Sequence, residues 1–203
     1  MSKKCICCNV YNCYHPYYKP VRCCCLRKSN YCPEYNKIPP CKSKYRWSNE
    51  TRQKAYMMIC VLLAHNAVKK GGEPYGAVIV DPEKNKIIAR GKNRASSNPI
   101  WHGEMDALNN LEKTLKKKGL SVYKIAPKLE LYTSAEPCPM CMSAFAWAGI
   151  GRVYYGSSIP FLVSQGRNQI LIRAKDVIKS TPFQYIELVE GILKETTNKL
   201  YMA

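Results

Sequence analysis

Four residues have the types and spacing to do chemistry together: His102 and Glu104 in "WHGEM", and Cys138 and Cys141 in "EPCPMC". A C-x-x-C pair alone has three chemistries: a redox couple, half of a structural zinc site, or part of a catalytic one. A lone histidine at a helix start often serves as a cap, and a lone glutamate there often just answers the helix dipole. The four together are more specific. His102, Cys138 and Cys141 supply three soft or borderline ligands, the count for a catalytic zinc whose fourth place is open to water. Cys138 and Cys141 lie one turn apart on a predicted helix, so both thiols face one side, and the helix N-terminus favours their thiolate forms. Glu104 is not needed as a ligand; a carboxylate beside an activated water can take its proton and deliver it elsewhere.

The elements that must bring these residues together are legible from periodicity. "SNETRQKAYMMICVLLAHNAVKK" opens with Ser48 or Asn49 as N-cap and ends in Lys69-Lys70-Gly71-Gly72, which predicts a helix with Ala55, Ile59, Leu62 and Leu63 on one face. "YGAVIVD" and "KIIARGKN" predict two strands around the turn "DPEKN". "HGEMDALNNLEKTLKKKG" predicts a second helix with Met105, Leu108, Leu111 and Leu115 as core face. "KLELYTS" is a third strand, "CPMCMSAFAWAG" a third helix with prolines tolerated in its first turn, and "RVYYG" a fourth strand. The remainder predicts a helix, a fifth strand near "YIELVEG" and a terminal helix. This order implies an α/β fold, a three-layer α/β/α sandwich on a five-stranded mixed sheet. Loops leaving one edge of that sheet would start both the His102 and the Cys138 helices, so the two N-termini can converge.

The order H-x-E followed by P-C-x-x-C matches the signature of zinc nucleobase deaminases, and a thioredoxin-like redox reading explains neither His102-Gly103-Glu104 nor Pro137. Residues from about 51 to 178 resemble the cytidine deaminase-like superfamily, in the branch of guanine, nucleoside and tRNA adenosine deaminases. "EPYGAVIV" resembles its first core strand, "ARGKN" the strand end that brings an asparagine to substrate, and "HGEM" and "EPCPMC" its zinc motifs. The resemblance implies zinc on His102, Cys138 and Cys141, Glu104 as proton shuttle, Asn93 on the base or ribose, and a homodimer. Substrate-contact candidates beside Asn93 are Trp101, as a stacking or lid residue, Gly103, and Tyr75 and Gly76 as pocket floor. Gly103 stands where the family usually has alanine, Trp101 where a small residue is common, and the stretch after Gly156 lacks an acidic substrate segment. His65 and Cys60, on the first helix, read as a polar-face or core histidine and a small buried apolar residue. The implied activity is hydrolytic deamination of a small nucleobase or nucleoside, a purine first; tRNA adenosine-to-inosine conversion and a non-catalytic zinc-fold accessory role are the alternatives.

Composition bounds the partners. The formal net charge is +18. Residues 1–50 carry ten Lys or Arg against Glu34 and Glu50, and residues 51–203 carry 22 against 12 acids. This excess suits anionic partners, with RNA a further candidate, and equally suits a plain basic surface. No run reaches the roughly 18 apolar residues of a membrane span, and no apolar leader opens the chain, so the expectation is a cytoplasmic protein without membrane partners. Of 12 cysteines, nine lie in residues 5–41. Residues 1–47 show neither helical nor strand periodicity and divide from a deaminase domain over 48–203. As an irregular cysteine-rich segment, residues 1–47 are expected to be metal-bound or disordered; a disulfide knot would need an oxidising compartment. Lipidation at Cys23-Cys24-Cys25 is a weaker reading.

Overall fold

The computed structural model describes residues 48–183 and 185–202; the cysteine-rich segment lies outside the described residues. Five strands are laid down in the spatial order β2-β1-β3-β4-β5: β1 (Gly76–Asp81), β2 (Lys86–Lys92), β3 (Glu130–Ala135), β4 (Arg152–Ser157) and β5 (Glu187–Val189). β1 pairs antiparallel with β2 and with β3, whereas β3–β4 and β4–β5 are parallel. The mixed sheet follows from the connections. β1 and β2 are joined by a tight turn, and each parallel step is bridged by helix.

The strand sequences alternate between two cores, as the two-residue period of a pleated strand demands. Ala77, Ile79, Leu131 and Val153 face one side and pack with Leu111, Met142, Phe145 and Ile178. Val78, Val80, Tyr132 and Tyr154 face the other and pack with Met57 and Cys60. Both faces are covered, so β1 reads as a continuous apolar run rather than as alternating apolar and polar residues. The first face carries α2 (Gly103–Lys116), α4 (Pro139–Ala148) and α6 (Ala174–Lys179), while the second carries α1 (Asn49–Val68). A four-residue α3 (Val122–Ile125) and a 3-10 turn precede β3, α5 (Ile159–Ser164) follows β4, and α7 (Lys194–Asn198) comes last. Among the described residues, no helix is long and apolar enough to cross a membrane.

The face of α1 expected to gather Ala55, Ile59, Leu62 and Leu63 is not its innermost one. Met57, Cys60, Val61, Ala64 and Ala67 are buried, and Ala55, Ile59, Leu62 and Leu63 are only half-buried. The cause is close approach. A Cβ placed on Gly76 would meet the Cys60 carbonyl oxygen at 2.3 Å and the Ala64 nitrogen at 2.7 Å, so only small side chains fit along the line of contact. The larger aliphatics flank it. On α2, Leu111 and Leu115 are buried as expected, but Met105 and Leu108 are half-buried and Ala107, Glu104 and Asp106 take the inner positions. Here too glycine sets the register. A Cβ on Gly91 would meet the Gly103 oxygen at 2.1 Å and the Ala107 nitrogen at 2.2 Å, drawing the helix tightly onto β2. The single helix expected after β4 is two, α5 and α6, separated by residues 165–173.

Candidate metal and proton-transfer site

β2 and β3 both run antiparallel to β1, so their C-terminal ends lie at the same edge of the sheet. The chain leaving β2 enters α2 at His102, and the chain leaving β3 enters α4 at Cys138. His102 and Cys138 are both N-cap residues with nearly the same backbone, φ −64° and ψ 163° against φ −63° and ψ 165°. Neither side chain caps its helix. Each helix thereby forgoes a cap worth about 1 kcal/mol, and each side chain is left to point elsewhere. Pro139 at the first position of α4 needs no amide partner there. Gly149, at φ 79°, closes the same helix in the left-handed conformation, with the Ile150 amide donating back to the Phe145 carbonyl.

What the two caps point at is each other. The Nδ1 atom of His102 lies 3.6 Å from the Cys138 Sγ and 3.6 Å from the Cys141 Sγ. All three ligand atoms fall within 4.8 Å of one another. A tetrahedral zinc with ordinary Zn–N and Zn–S bonds needs an N···S separation of ~3.6 Å, so these residues fit the ion. A hydrogen bond from the Cys141 thiol, joined by His102 and opposed by burial, brings Cys138 down to about 4. The hydrogen bond to Cys138, and next burial, push the Cys141 thiol well up. The Cys138 sulfur in turn raises His102, against the pull of burial.

Glu104, one turn-position into α2, is 4% exposed. Thr133 of β3 donates to its Oε1 at 3.1 Å, which fixes the carboxylate's orientation. Burial, and next the negative charge of Cys138, raise its pKa to about 7. Of the other expected contact residues, Asn93 is buried and its side-chain oxygen accepts from the Glu73 and Ala95 amides at 3.2 and 3.0 Å. Its backbone amide donates to the Tyr75 carbonyl. A Cβ on Gly103 would sit 2.9 Å from that same carbonyl, so Tyr75, Asn93 and Gly103 meet at one point. Tyr75 is half-buried; Gln169 donates to its hydroxyl at 3.2 Å, and its ring lies 5.3 Å from that of Tyr201. Trp101 is half-buried and its carbonyl accepts from the Arg94 amide. Gly76 faces α1, with its amide donating to the Ser134 hydroxyl. His65 is exposed, and Cys60 is fully buried, donating to the Tyr132 carbonyl.

Three further residues near the site, none of them a candidate on sequence grounds, are Thr133, Asp106 and Glu136. Asp106 accepts from the Lys92 amide at 3.1 Å and faces the Arg94 guanidinium at 3.4 Å, which ties α2 to the strand end carrying Asn93. Glu136 precedes Pro137-Cys138 and is the one charged residue between Leu131 and Ile150, a signal that was available. A groove of about 500 Å3 between Pro82, Lys128, Arg152 and Tyr185 lies at the opposite end of the sheet and has no part in this chemistry.

Comparison with known proteins agrees with this geometry. The cytidine and deoxycytidylate deaminase zinc-binding region matches residues 50–157. A tRNA-specific adenosine deaminase of Rickettsia bellii is 37% identical over 97 residues, 47% of this chain and 63% of its own length, so the chain spans less than two thirds of that relative. A guanine deaminase of Bacillus subtilis is 33% identical over 145 residues, 68% of this chain and 87% of its own. The solved structure of the guanine deaminase from Nitrosomonas europaea superposes with a TM-score of 0.62 at 23% identity, covering 78% of this chain and 85% of that one, a likeness of fold. The chain belongs to the cytidine and deoxycytidylate deaminase zinc-binding family.

Proposed function

From that membership, we propose that the chain is a zinc-dependent hydrolytic deaminase with His102, Cys138 and Cys141 as zinc ligands and Glu104 as its proton carrier, acting on a purine base or nucleoside. The observation that carries the reading is the convergence of three ligand atoms within 4.8 Å beside a buried carboxylate that Thr133 holds in place. Zinc, when bound, lowers the pKa of a coordinated water towards neutrality and so supplies the nucleophile.

The chain's own residues supply the rest. His102 and the two cysteines present nitrogen and thiolate donors from two rigid helix starts. Glu104, inside the fold and fixed by Thr133, is placed to receive the proton of the attacking water. It delivers that proton to the ring nitrogen as the C–O bond forms, and then carries the second proton, from the new hydroxyl, to the amine as the C–N bond breaks. Ammonia leaves, and a carbonyl remains on the base. Asn93, its oxygen occupied by two backbone amides, offers its amide N–H groups to the substrate. Trp101 and Tyr75 border the space where the base would lie.

A purine is favoured because the guanine deaminase relative matches two thirds of the chain. A second reading, adenosine-to-inosine conversion in tRNA, is favoured by the net charge of +18 and by the tRNA-specific relative. Ammonia release from a panel of guanine, adenine, cytosine, their nucleosides and tRNA decides between them. Turnover of guanine or a purine nucleoside supports the first reading, and turnover of tRNA alone supports the second. Release from no member, by protein holding stoichiometric zinc, overturns both and leaves the accessory role.

A further inference from the structure

Glu136 is the most heavily engaged carboxylate among the described residues. Its side chain is 0% exposed. Oε2 accepts from the Ile159 amide at 2.9 Å, at the start of α5, and Oε1 accepts from the Ala174 amide at 2.9 Å, at the start of α6. The Nε of Arg173 reaches both oxygens at 2.8 Å. The backbone amide of Glu136 donates to the Ser157 carbonyl at 2.7 Å, carrying the β3–β4 ladder one step beyond its last pair. One residue is thus pinned from both main chain and side chain.

This node stands two residues before Cys138, a reach of at most ~7 Å of extended chain. On the other side of Cys138, the Met142 amide donates to the Cys138 carbonyl at 2.9 Å. The thiolate turn is therefore held between a buried charged node and the first turn of α4. The same node anchors one end of the segment 165–173. Further along that segment, Arg167 reaches Glu73 at 3.2 Å and Gln169 reaches the Tyr75 hydroxyl at 3.2 Å. A buried carboxylate satisfied by three donors from segments distant in sequence costs a great deal to misplace. Its position is accordingly set more sharply than that of an ordinary loop residue.

We propose that Glu136 is a positioning residue that fixes the Cys138 thiolate for zinc and ties that turn to the segment bordering Tyr75. The inference rests on the zinc reading above. Residues that hold metal ligands in place typically carry about 10–100-fold in metal affinity, and the lower end is expected here because Glu136 acts through the backbone.

The test uses the full chain loaded with cobalt(II), whose ligand-field spectrum reports thiolate geometry, and zinc affinity measured against a competing chelator. The spectrum of the site is the difference between the unaltered protein and Cys138→Ala, which removes any contribution from other cysteines. Glu136→Asp keeps the charge but withdraws it by one methylene. Val177→Ala, in α6 and packed in the hydrophobic core without a side-chain bond to Glu136, serves as the control for destabilisation. The expected result is a folded Glu136→Asp protein with a shifted cobalt spectrum and about tenfold weaker zinc binding, while Val177→Ala changes neither. An unchanged spectrum and affinity in folded Glu136→Asp, or an equal loss in Val177→Ala, overturns the proposal. If Glu136→Asp does not fold, Arg173→Lys carries the test, since the Ile159 and Ala174 amides remain in place; a shifted spectrum supports the proposal and an unchanged one overturns it. If Cys138→Ala leaves the cobalt spectrum unaltered, the zinc reading itself fails, an outcome distinct from failure of the Glu136 role.

Discussion

The two helix starts that meet at the site share a backbone conformation and differ in how they are held. His102 and Cys138 are N-caps with φ and ψ equal to within a few degrees. The α4 start is held by charge, through Glu136 and its amide and guanidinium donors. The α2 start is held by the absence of side chains: Gly91 and Gly103 let the helix sit directly on the ends of β1 and β2, and Asp106 adds a tie to Lys92 and Arg94. Buried charge and close glycine contact are two solutions to one problem, which is to place a side chain that does not cap its own helix. The first is sensitive to chemistry and the second to volume.

The largest effect is expected on the charged side. Cys138→Ala removes one of the three proposed ligands. It should lower bound zinc by one equivalent per chain relative to the unaltered protein and abolish turnover, as metal analysis alongside ammonia release will show. Equal zinc content in the two proteins would break the comparison at its root. On the volume-limited side, Gly91→Val forces a side chain to within 2.1 Å of the Gly103 oxygen and 2.2 Å of the Ala107 nitrogen, both main-chain atoms that cannot rotate away. A loss of about 3 kcal/mol or more is expected from overpacking, read by denaturant unfolding. A stability change within 0.5 kcal/mol or so, the range of neutral surface substitutions, would show that the α2 start is not volume-limited. The smallest effect is expected from deleting residues 1–47. All four residues of the site follow Ser48, so turnover of a small substrate should be unchanged, while any RNA binding should weaken and lose salt dependence. Loss of small-substrate turnover in a well-folded truncation would assign the segment a part in the site.

Much of this was legible in the sequence for physical reasons that also show where legibility ends. Strand alternation is written in consecutive residues: Val78 and Val80 against Ala77 and Ile79 needs no tertiary knowledge. The H-x-E and P-C-x-x-C motifs are local, because a ligand set on two helix starts must keep fixed spacing within each. The buried face of α1 is less legible, because apolar size is a poor guide to burial on that helix. Contact with Gly76 selects the small residues Cys60 and Ala64 instead. The role of Glu136 is not legible in the sequence, because its partners lie 23 to 38 residues away and two of them are backbone amides, which carry no side-chain signature. Thr133 is equally silent; in the sequence it is an ordinary β-branched strand residue, and only the fold shows its hydroxyl 3.1 Å from Glu104.

The central claim is that Glu104 moves protons at a zinc site without holding the metal. The measurement that tests it most directly is ammonia release by zinc-loaded Glu104→Gln beside the unaltered protein, with zinc content determined on the same samples. The account predicts equal zinc and a loss of turnover of about 10²–10⁴-fold, the usual worth of general acid–base catalysis. Near-normal ammonia release from Glu104→Gln, or loss of its zinc, would contradict it.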